Sequence, residues 1–299
     1  MTGPERGFLL LSSHLGNPER KPLTTAQLRT LADRMRCGPR LPEERELRAS
    51  DLTVLGYRSD MARRILSLLN EEDLLDHYLT RGLRQGCVPV TRVSSGYPGM
   101  LRQRLGLDSP GCLWVKGDVS ILDTPAVALV GSRDLHEENR KFAEAVGYEA
   151  AVQGLTLVSG NARGADKTAQ ESCLKAGGRV ISIVADSLAG HRERHNVLYV
   201  SEDDFEADFS AQRALSRNRC IHALGRMVFV AQSSLQQGGT WDGTVKNLRF
   251  GWSEVACFRD GSEAAARLEQ MGAFLVSEHD LKDFQVSPSP LENFLNEPV

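Results

Sequence analysis

The sequence predicts an α/β protein: a doubly wound, mostly parallel sheet that follows a small all-α N-terminal domain. Apolar residues recur at helical spacing through residues 1–85. Beyond residue 110, short apolar runs alternate with stretches of helical composition. Strands of parallel sheets give such continuous apolar runs because helices cover both faces of the sheet. The length of 299 residues suits one large domain or two modest ones.

The N-terminal region is predicted to be helical throughout. Thr24 forms a capping box with Gln27, three residues further on. Apolar residues then recur at i, i+3 and i+7, which predicts a helix. Two further stripes predict helices over residues 61–69 and 74–83. We interpret all three stripes as core packing and assign a helical N-terminal domain to residues 1–88.

Strands and helices alternate in the second part of the chain, residues 89–281. Strands are predicted at 112–116, 126–130, 155–159, 179–184, 227–231, 255–258 and 273–276. Helices are predicted at 137–153, 164–175, 210–224, 242–250 and 262–271. The proline-rich segment 282–299 is predicted to be a flexible tail.

Composition and charge exclude several classes of protein. The formal net charge is −3, which excludes binding of nucleic acid by overall charge. Residues 1–110 carry a net charge of +4 and the remainder −7, so a polyanion site must be a local patch. No apolar run reaches the roughly 18 residues that a membrane span needs. The six cysteines are scattered without a CxxC pair, which favours reduced thiols in the cytoplasm.

The first candidate binding loop follows the strand predicted at 126–130. Gly131 lets the backbone approach a ligand closely. The hydroxyl of Ser132 and the neighbouring amides can hold a phosphate, and Arg133 adds a forked cation. Ligands of doubly wound sheets bind at this edge, where the carboxyl ends of the strands lie. The alternative is a tight turn with an exposed arginine.

The second candidate loop follows the next strand and reads Ser159-Gly160-Asn161-Ala162-Arg163-Gly164-Ala165-Asp166. Its glycines flank a turn that opens a helix, and the free N–H groups of a helix N-terminus attract anions. Arg163 adds positive charge, and Asp166 is the predicted cap of the helix. Two such loops on consecutive strands favour phosphate binding over a purely structural role.

Two further segments contribute candidate cations. Arg213, Arg217 and Arg219 lie within seven residues. On one continuous helix the first two share a face, whereas Arg219 is turned by roughly 160° from Arg217. A solvated basic face is the alternative interpretation. The small-residue loop 238–244 follows another strand and brings Lys246 close by.

Several common site motifs are missing from the sequence. Three residues separate Gly160 from Gly164, whereas a Walker A loop has four and then Gly-Lys-Ser/Thr. No GxGxxG follows either strand. His191 and His195 lie one helical turn apart, but the two arginines between them would repel a cation. We predict neither a metal site nor a cofactor.

A set of short segments occurs in a characteristic order along the chain. They are Tyr97-Pro98, Leu113 to Asp118, Ala128 to Arg133, Val158 to Asp166, Gly177-Gly178 and Arg217 to Ile221. In this order and spacing they resemble the DprA/Smf family of bacterial DNA-processing proteins. The resemblance covers roughly residues 90–277, and the helical leader is also similar to the N-terminal region of that family.

The resemblance implies an extended Rossmann-like domain that binds single-stranded DNA. It further implies a homodimer that helps to load a RecA-type recombinase during natural transformation, without a catalytic step. Carried over by position, the residues that would hold DNA phosphates are Ser132, Arg133, Ser159, Gly160, Arg163 and Gly164, with Arg217, Asn218 and Arg219 beside them. The loops themselves add Gly131 and Lys246. Trp241 is the candidate for stacking on bases, with core packing as its alternative.

The sequence departs from the family pattern at three places. Thr168-Ala169-Gln170 replaces an Ala-Ala-His run, the loop at 238–241 differs, and residues 202–208 are acidic. Related phosphoribohydrolases carry a catalytic glutamate after a glycine-rich loop. Here Val245-Lys246-Asn247 follows the corresponding glycine and threonine. This favours a protein without hydrolase activity.

We therefore predict a cytoplasmic, non-catalytic protein that binds single-stranded DNA and assists recombinase loading. The alternative is a sensor domain that binds a nucleotide or a nucleotide-derived signal in the same loops, for example in defence. The two differ in the size of the ligand. Affinity that grows with strand length favours DNA, and saturation by a mononucleotide favours the sensor.

Overall fold

The computed structural model describes residues 1–39, 47–282 and 284. Within this part, nine strands form one sheet. They are β1 (Val88–Thr91), β2 (Cys112–Lys116), β3 (Ala126–Val130), β4 (Thr156–Ser159), β5 (Arg179–Ile183), β6 (Val197–Ser201), β7 (Met227–Val230), β8 (Glu254–Phe258) and β9 (Phe274–Val276). Their order across the sheet is β1-β2-β6-β5-β4-β3-β7-β8-β9.

The described α-helices fall into an N-terminal group and a group that connects the strands. The first group is α1 (Gly3–Ser12), α2 (Thr25–Cys37), α3 (Ala49–Val54), α4 (Ser59–Leu69) and α5 (Glu72–Arg84). The second group is α6 (Gly99–Leu105), α7 (Glu137–Val152), α8 (Ala165–Lys175), α9 (Ala211–Ser216), α10 (Asn218–Leu224), α11 (Gly238–Phe250) and α12 (Glu263–Gln270).

The strand pairing confirms the predicted doubly wound, Rossmann-like fold. The strands from β3 to β9 pair in parallel, whereas β1 and β2 join antiparallel at one edge. Proline lacks the N–H that an inner strand needs, and Pro89 accordingly lies in the edge strand β1. In the middle of the sheet, Ala128 of β3 pairs with Val158 of β4 and with Val228 of β7.

Side chains alternate between the two faces of each strand and so build a core on both sides. In β3, Val127 and Leu129 pack with Phe142 of α7 on one face. Ala128 packs on the other face with Ile221 of α10, in the cluster that also holds buried residues of α6 and α12. Continuous apolar strands are therefore required, and this explains the runs in the sequence.

The N-terminal helices form a third cluster, and the predicted capping box is confirmed. The N–H of Gln27 donates to Thr24 Oγ1 (3.3 Å), and the N–H of Thr24 donates to Gln27 Oε1 (3.0 Å). Leu9 of α1 and Tyr78 of α5 pack instead into the first face of the sheet. Strand β1 begins at Val88, and the domain boundary at this residue stays a prediction.

The structure differs from the predicted elements at three places. Strands β1 and β6 were not predicted. The helix predicted over 210–224 is wrong as one element, because it breaks at Arg217 into α9 and α10. Residues 191–195 form a loop. The tail predicted at 282–299 lies outside the described residues except at two positions.

Two further features bear on the class of protein. None of the helices in the described ranges is both long and apolar enough to cross a membrane. The six cysteines are free thiols, four of them buried.

Candidate functional site

The candidate site lies where the winding of the sheet reverses, between β3 and β7. The chain leaves β3 toward α7 on one face and leaves β7 toward α11 on the other, so the loops after these strands separate and leave a crevice. This crevice contains a cavity of about 530 Å³. Its lining includes Gly131 to Arg133, Arg217, Asn218 and Gly239.

Close backbone contact joins the two predicted binding loops. The N–H of Ala165 donates to the carbonyl of Ser132 (3.1 Å). A Cβ at Gly131 would lie 2.5 Å from that of Ala165, and a Cβ at Gly164 would overlap the carbonyl oxygens of Ser132 and Arg133. Gly164 also has a positive φ of 84°. Both glycines are therefore required for the first turn of α8 to pack against the first loop.

Arg217 lies in the floor of the crevice. It is 7% exposed, and its Nη2 is 4.0 Å from Asp166 Oδ2. Gly160 leaves room for this pair, because a Cβ there would overlap both side chains. Arg217 Nε and Nη1 have no hydrogen-bond partner among the described residues. The site thus holds a cation whose hydrogen-bonding capacity is largely unused.

Burial acts on both members of this pair. Desolvation lowers the pKa of the Arg217 guanidinium, and Asp166 opposes that change. Desolvation raises the pKa of the Asp166 carboxyl, and Arg217 opposes it in turn. Asp166 does not cap α8 as predicted. It accepts the N–H of Ala162 (3.2 Å) and so closes the loop that precedes the helix.

Two exposed arginines stand at the rim. Arg163 forms an ion pair with Asp134 (2.8 Å) in which both side chains are largely exposed. Arg133 is exposed and forms no ion pair within the described part of the chain. A second cavity of about 500 Å³ adjoins the first and is lined by Arg133, Arg163 and Arg217, with Asp186 opposite. We call the two cavities together the arginine cleft.

Three polar residues complete the cleft. The N–H of Ser132 donates to the carbonyl of Gln232 (3.0 Å), which ties the loop after β3 to the loop after β7. The side chain of Ser159 is fully buried and helps to lower the pKa of the neighbouring Asp166 carboxyl. Asn218 Nδ2 donates to the carbonyl of Gly239 (3.1 Å). The predicted residues of both loops therefore meet in one place.

Arg219 and Lys246 lie elsewhere. Both line a separate cavity of about 1100 Å³ that runs beside α11, which we call the α11 groove. Arg219 forms an ion pair with Glu202 (2.7 Å), and its Nε donates to the carbonyl of Asp108 (3.1 Å). Lys246 forms an ion pair with Asp242 (2.8 Å).

The acidic segment 202–208 is bound to basic and hydroxyl groups of the chain itself. Asp203 pairs with Arg213 (2.7 Å), and Asp204 accepts the Tyr78 hydroxyl (2.6 Å). Arg213 also donates to the carbonyls of residues 207 and 208. These contacts fix the loop that carries Phe209.

Phe209 is the residue that sequence reasoning missed. Its ring is 57% exposed and lines both cavities of the arginine cleft. The signal available in the sequence was an aromatic residue between an acidic run and a basic helix. Trp241, the predicted stacking residue, is half-buried and packs against the second core cluster.

Histidines and carboxylates do not gather into a metal site within the described ranges, where no three such ligands converge. His191 Nε2 lies 3.0 Å from Asp186 and its ring stacks on Tyr199. The residues after Gly243-Thr244 are engaged in structure, since Asn247 is buried and donates to Ser253 Oγ (2.9 Å).

Comparison with known families identifies the chain. The sequence model described as DNA recombination-mediator protein A matches residues 89–280. The chain belongs to this family. The matched segment begins with β1 and includes every strand of the sheet and both loops of the arginine cleft.

Curated relatives share part of the family region. The chain is 30% identical over 183 residues to the DNA processing protein DprA of Streptococcus pneumoniae, covering 57% of this chain and 64% of that protein. It is 29% identical over 187 residues to the protein Smf of Escherichia coli, covering 57% and 50%. The chain thus spans between half and two thirds of the length of these relatives.

Solved structures of the family share the fold. The structure of DprA from Streptococcus pneumoniae matches with a TM-score of 0.69 at 23% identity, over 94% of this chain and 98% of that one. The structure of DprA from Helicobacter pylori, described for its mode of binding single-stranded DNA, matches with a TM-score of 0.54 at 21% identity, over 70% and 95%. Both likenesses concern the fold, and the first, over 94% of this chain, also includes N-terminal helices.

Proposed function

We propose that this protein binds single-stranded DNA through backbone phosphates held in the arginine cleft. The observation that carries the proposal is Arg217, a buried guanidinium with two nitrogens that lack partners among the described residues. Burying N–H donors without acceptors is costly, and a phosphate in the cleft would supply the acceptors that these two nitrogens lack. Arg133 and Arg163 at the rim would hold neighbouring phosphates.

The shape of the cleft favours a single strand over a duplex. Its two cavities of about 530 and 500 Å³ are lined by loops and by one exposed ring, Phe209. Unpaired bases stack on aromatic rings and on guanidinium planes, which a duplex does not offer. Contacts of this kind hold phosphates and ring faces, so we expect little dependence on base sequence.

We infer the wider role from the names of the relatives and from the resemblance of the sequence to their family. We propose a non-catalytic protein of DNA processing in the cytoplasm, acting as a homodimer that assists a RecA-type recombinase during natural transformation. Gly131, Ser132, Ser159, Gly160, Gly164 and Asn218 would shape and position the phosphate site. Arg219 and Lys246 would meet a strand that continues beside α11.

Fluorescence anisotropy with labelled oligo-dT and a matched duplex tests the proposal. We expect tight binding of the single strand only, and a loss of at least tenfold in the Arg133→Ala/Arg163→Ala variant. Both side chains are exposed, so the fold should tolerate the change. The matched control is Arg226→Ala/Arg267→Ala, which removes two exposed cations away from the cleft. Equal affinities of parent and Arg133/Arg163 variant would contradict the proposal.

A nucleotide-binding sensor is the second candidate, and the size of the cavities favours it. Each lies within the range of about 300–1,000 Å³ that is typical of small-molecule sites. The dependence of affinity on ligand length distinguishes the two functions. Thermal stabilisation by a mononucleotide that saturates, together with no gain in affinity from longer strands, would favour the sensor.

A further inference from the structure

The α11 groove, at about 1100 Å³, is larger than either cavity of the arginine cleft, and the phosphate-binding proposal leaves it unexplained. One face of α11 forms its wall through Gly239, Gly243, Lys246 and Phe250, at helical spacing. From Gly238 to Phe250 this wall extends about 18 Å. The groove is therefore long enough for several units of an extended chain.

An aromatic platform stands at the far end of the groove. The ring of Phe250 is 60% exposed and stacks on Trp252, with centroids 5.6 Å apart and planes inclined by 17°. The guanidinium of Arg249 lies 5.5 Å from the centroid of Phe250. Trp252 is half-buried against the second core cluster and supports the exposed ring of Phe250. An exposed ring beside a cation is a surface on which unpaired nucleobases stack.

The charges of the groove disfavour a phosphate backbone in its interior. Four carboxylates line it, whereas its two cations, Arg219 and Lys246, are already in ion pairs. The carboxylate of Asp108 forms no ion pair within the described ranges. Neutral groups with N–H donors fit such a wall, and these are the properties of bases rather than of phosphates.

The groove continues from the arginine cleft. Four residues line both: Leu215, Asn218, Gly238 and Gly239. A strand whose phosphates lie over Arg133 and Arg217 can therefore pass across Gly239 into the groove. We propose that the α11 groove holds the bases of the strand that leaves the cleft, stacked on Phe250 and Trp252 with the phosphates turned outward. This inference rests on the proposed binding of single-stranded DNA.

Two DNA ligands of equal length distinguish a site for bases from a site for phosphates. They are oligo-dT and an abasic oligonucleotide that keeps only the sugar-phosphate backbone. We expect Phe250→Ala to weaken binding of oligo-dT about fivefold or more, the loss of one stacked base. Affinity for the abasic strand should change less than twofold. The matched control is Phe274→Ala, because Phe274 is similarly exposed (57%) on β9, outside the groove.

Tryptophan fluorescence gives a second reading. Trp252 emission should be quenched by oligo-dT and not by the abasic strand, with Trp252→Phe assigning the signal. The inference is overturned if Phe250→Ala leaves oligo-dT affinity unchanged while Arg133→Ala/Arg163→Ala removes it. In that case DNA is bound by the arginine cleft without a contribution from bases in the α11 groove. If the parent binds neither strand, the proposed function itself fails.

Discussion

At the residue scale, two buried basic side chains, Arg217 and His222, differ, because the first is a cation and the second is neutral. Arg217 stays beside Asp166, with two nitrogens that lack partners among the described residues. His222 is kept neutral because burial disfavours its charged form, and Asn247 Nδ2 donates to its Nδ1 (3.2 Å). The N–H of Ser253 fixes the Asn247 amide by donating to its Oδ1 (2.9 Å). An unused buried cation points to a ligand, whereas a buried neutral imidazole points to structure.

The neutral histidine makes stability depend on pH. Burial lowers the pKa of His222 from 6.5 to about 3. Between these values the unfolded chain binds a proton that the folded chain does not, so stability falls as the pH drops through this window. From pH 8 to pH 5 this residue should cost about 2 kcal/mol. Urea midpoints of the parent and His222→Gln at both pH values check this, and equal pH dependence would contradict it.

At the element scale, the site depends on how α8 begins. Gly164 occupies a conformation with positive φ, and its missing side chain leaves space for the carbonyls of Ser132 and Arg133. The N–H of Ala165 then reaches Ser132. The first turn of the helix thereby fixes the loop that carries Arg133. The position of Arg133 therefore depends on the contact between α8 and the loop after β3.

The substitution Gly164→Ala should therefore reduce both stability and DNA binding. Its Cβ meets the strain of positive φ, about 1–3 kcal/mol, and also pushes the loop after β3 away. Gly177 is a matched control, since its φ is 81° and a Cβ added there would have no atom within 4 Å. Thermal unfolding should show a loss in both Gly164→Ala and Gly177→Ala. Anisotropy should show weaker binding only in Gly164→Ala, and unchanged affinity there would count against the contact's role.

Sequence periodicity predicts the elements whose local pattern agrees with their burial. The strands β3, β4 and β7 are fully or almost fully buried, so their apolar runs are continuous. The edge strand β1 contains a proline, and such strands lack a clear pattern. Strand β6 is as apolar as the predicted strands, and its run leads directly into the acidic segment.

The arginines of the site show why spacing alone misplaces side chains. On one continuous helix, Arg213 and Arg217 would share a face. The helix breaks at Arg217 instead. Arg213 then ties down the acidic loop, Arg217 enters the cleft, and Arg219 binds Glu202. Most of these partners are distant in sequence, so no local pattern could predict the assignment.

At the scale of the whole molecule, the charge is unevenly spread around a weakly acidic average. The net charge is −3, yet the arginine cleft gathers three arginines against Asp134, Asp166 and Asp186. The adjoining groove carries four carboxylates against two cations. The charges of the cleft balance, so a polyanion would be held there by the exposed Arg133 and by the unpartnered nitrogens of Arg217 rather than by net charge. Binding by such a patch must depend strongly on salt.

The salt dependence of oligo-dT affinity tests this central claim most directly. About four phosphate contacts should give a slope of log K against log salt near −3, since each contact on a single strand contributes about −0.7. The Arg133→Ala/Arg163→Ala variant should have a slope shallower by about 1.4, and Arg226→Ala/Arg267→Ala should retain the parent slope. A parent slope near zero, or an Arg133/Arg163 variant with the parent slope, would contradict phosphate binding in the arginine cleft.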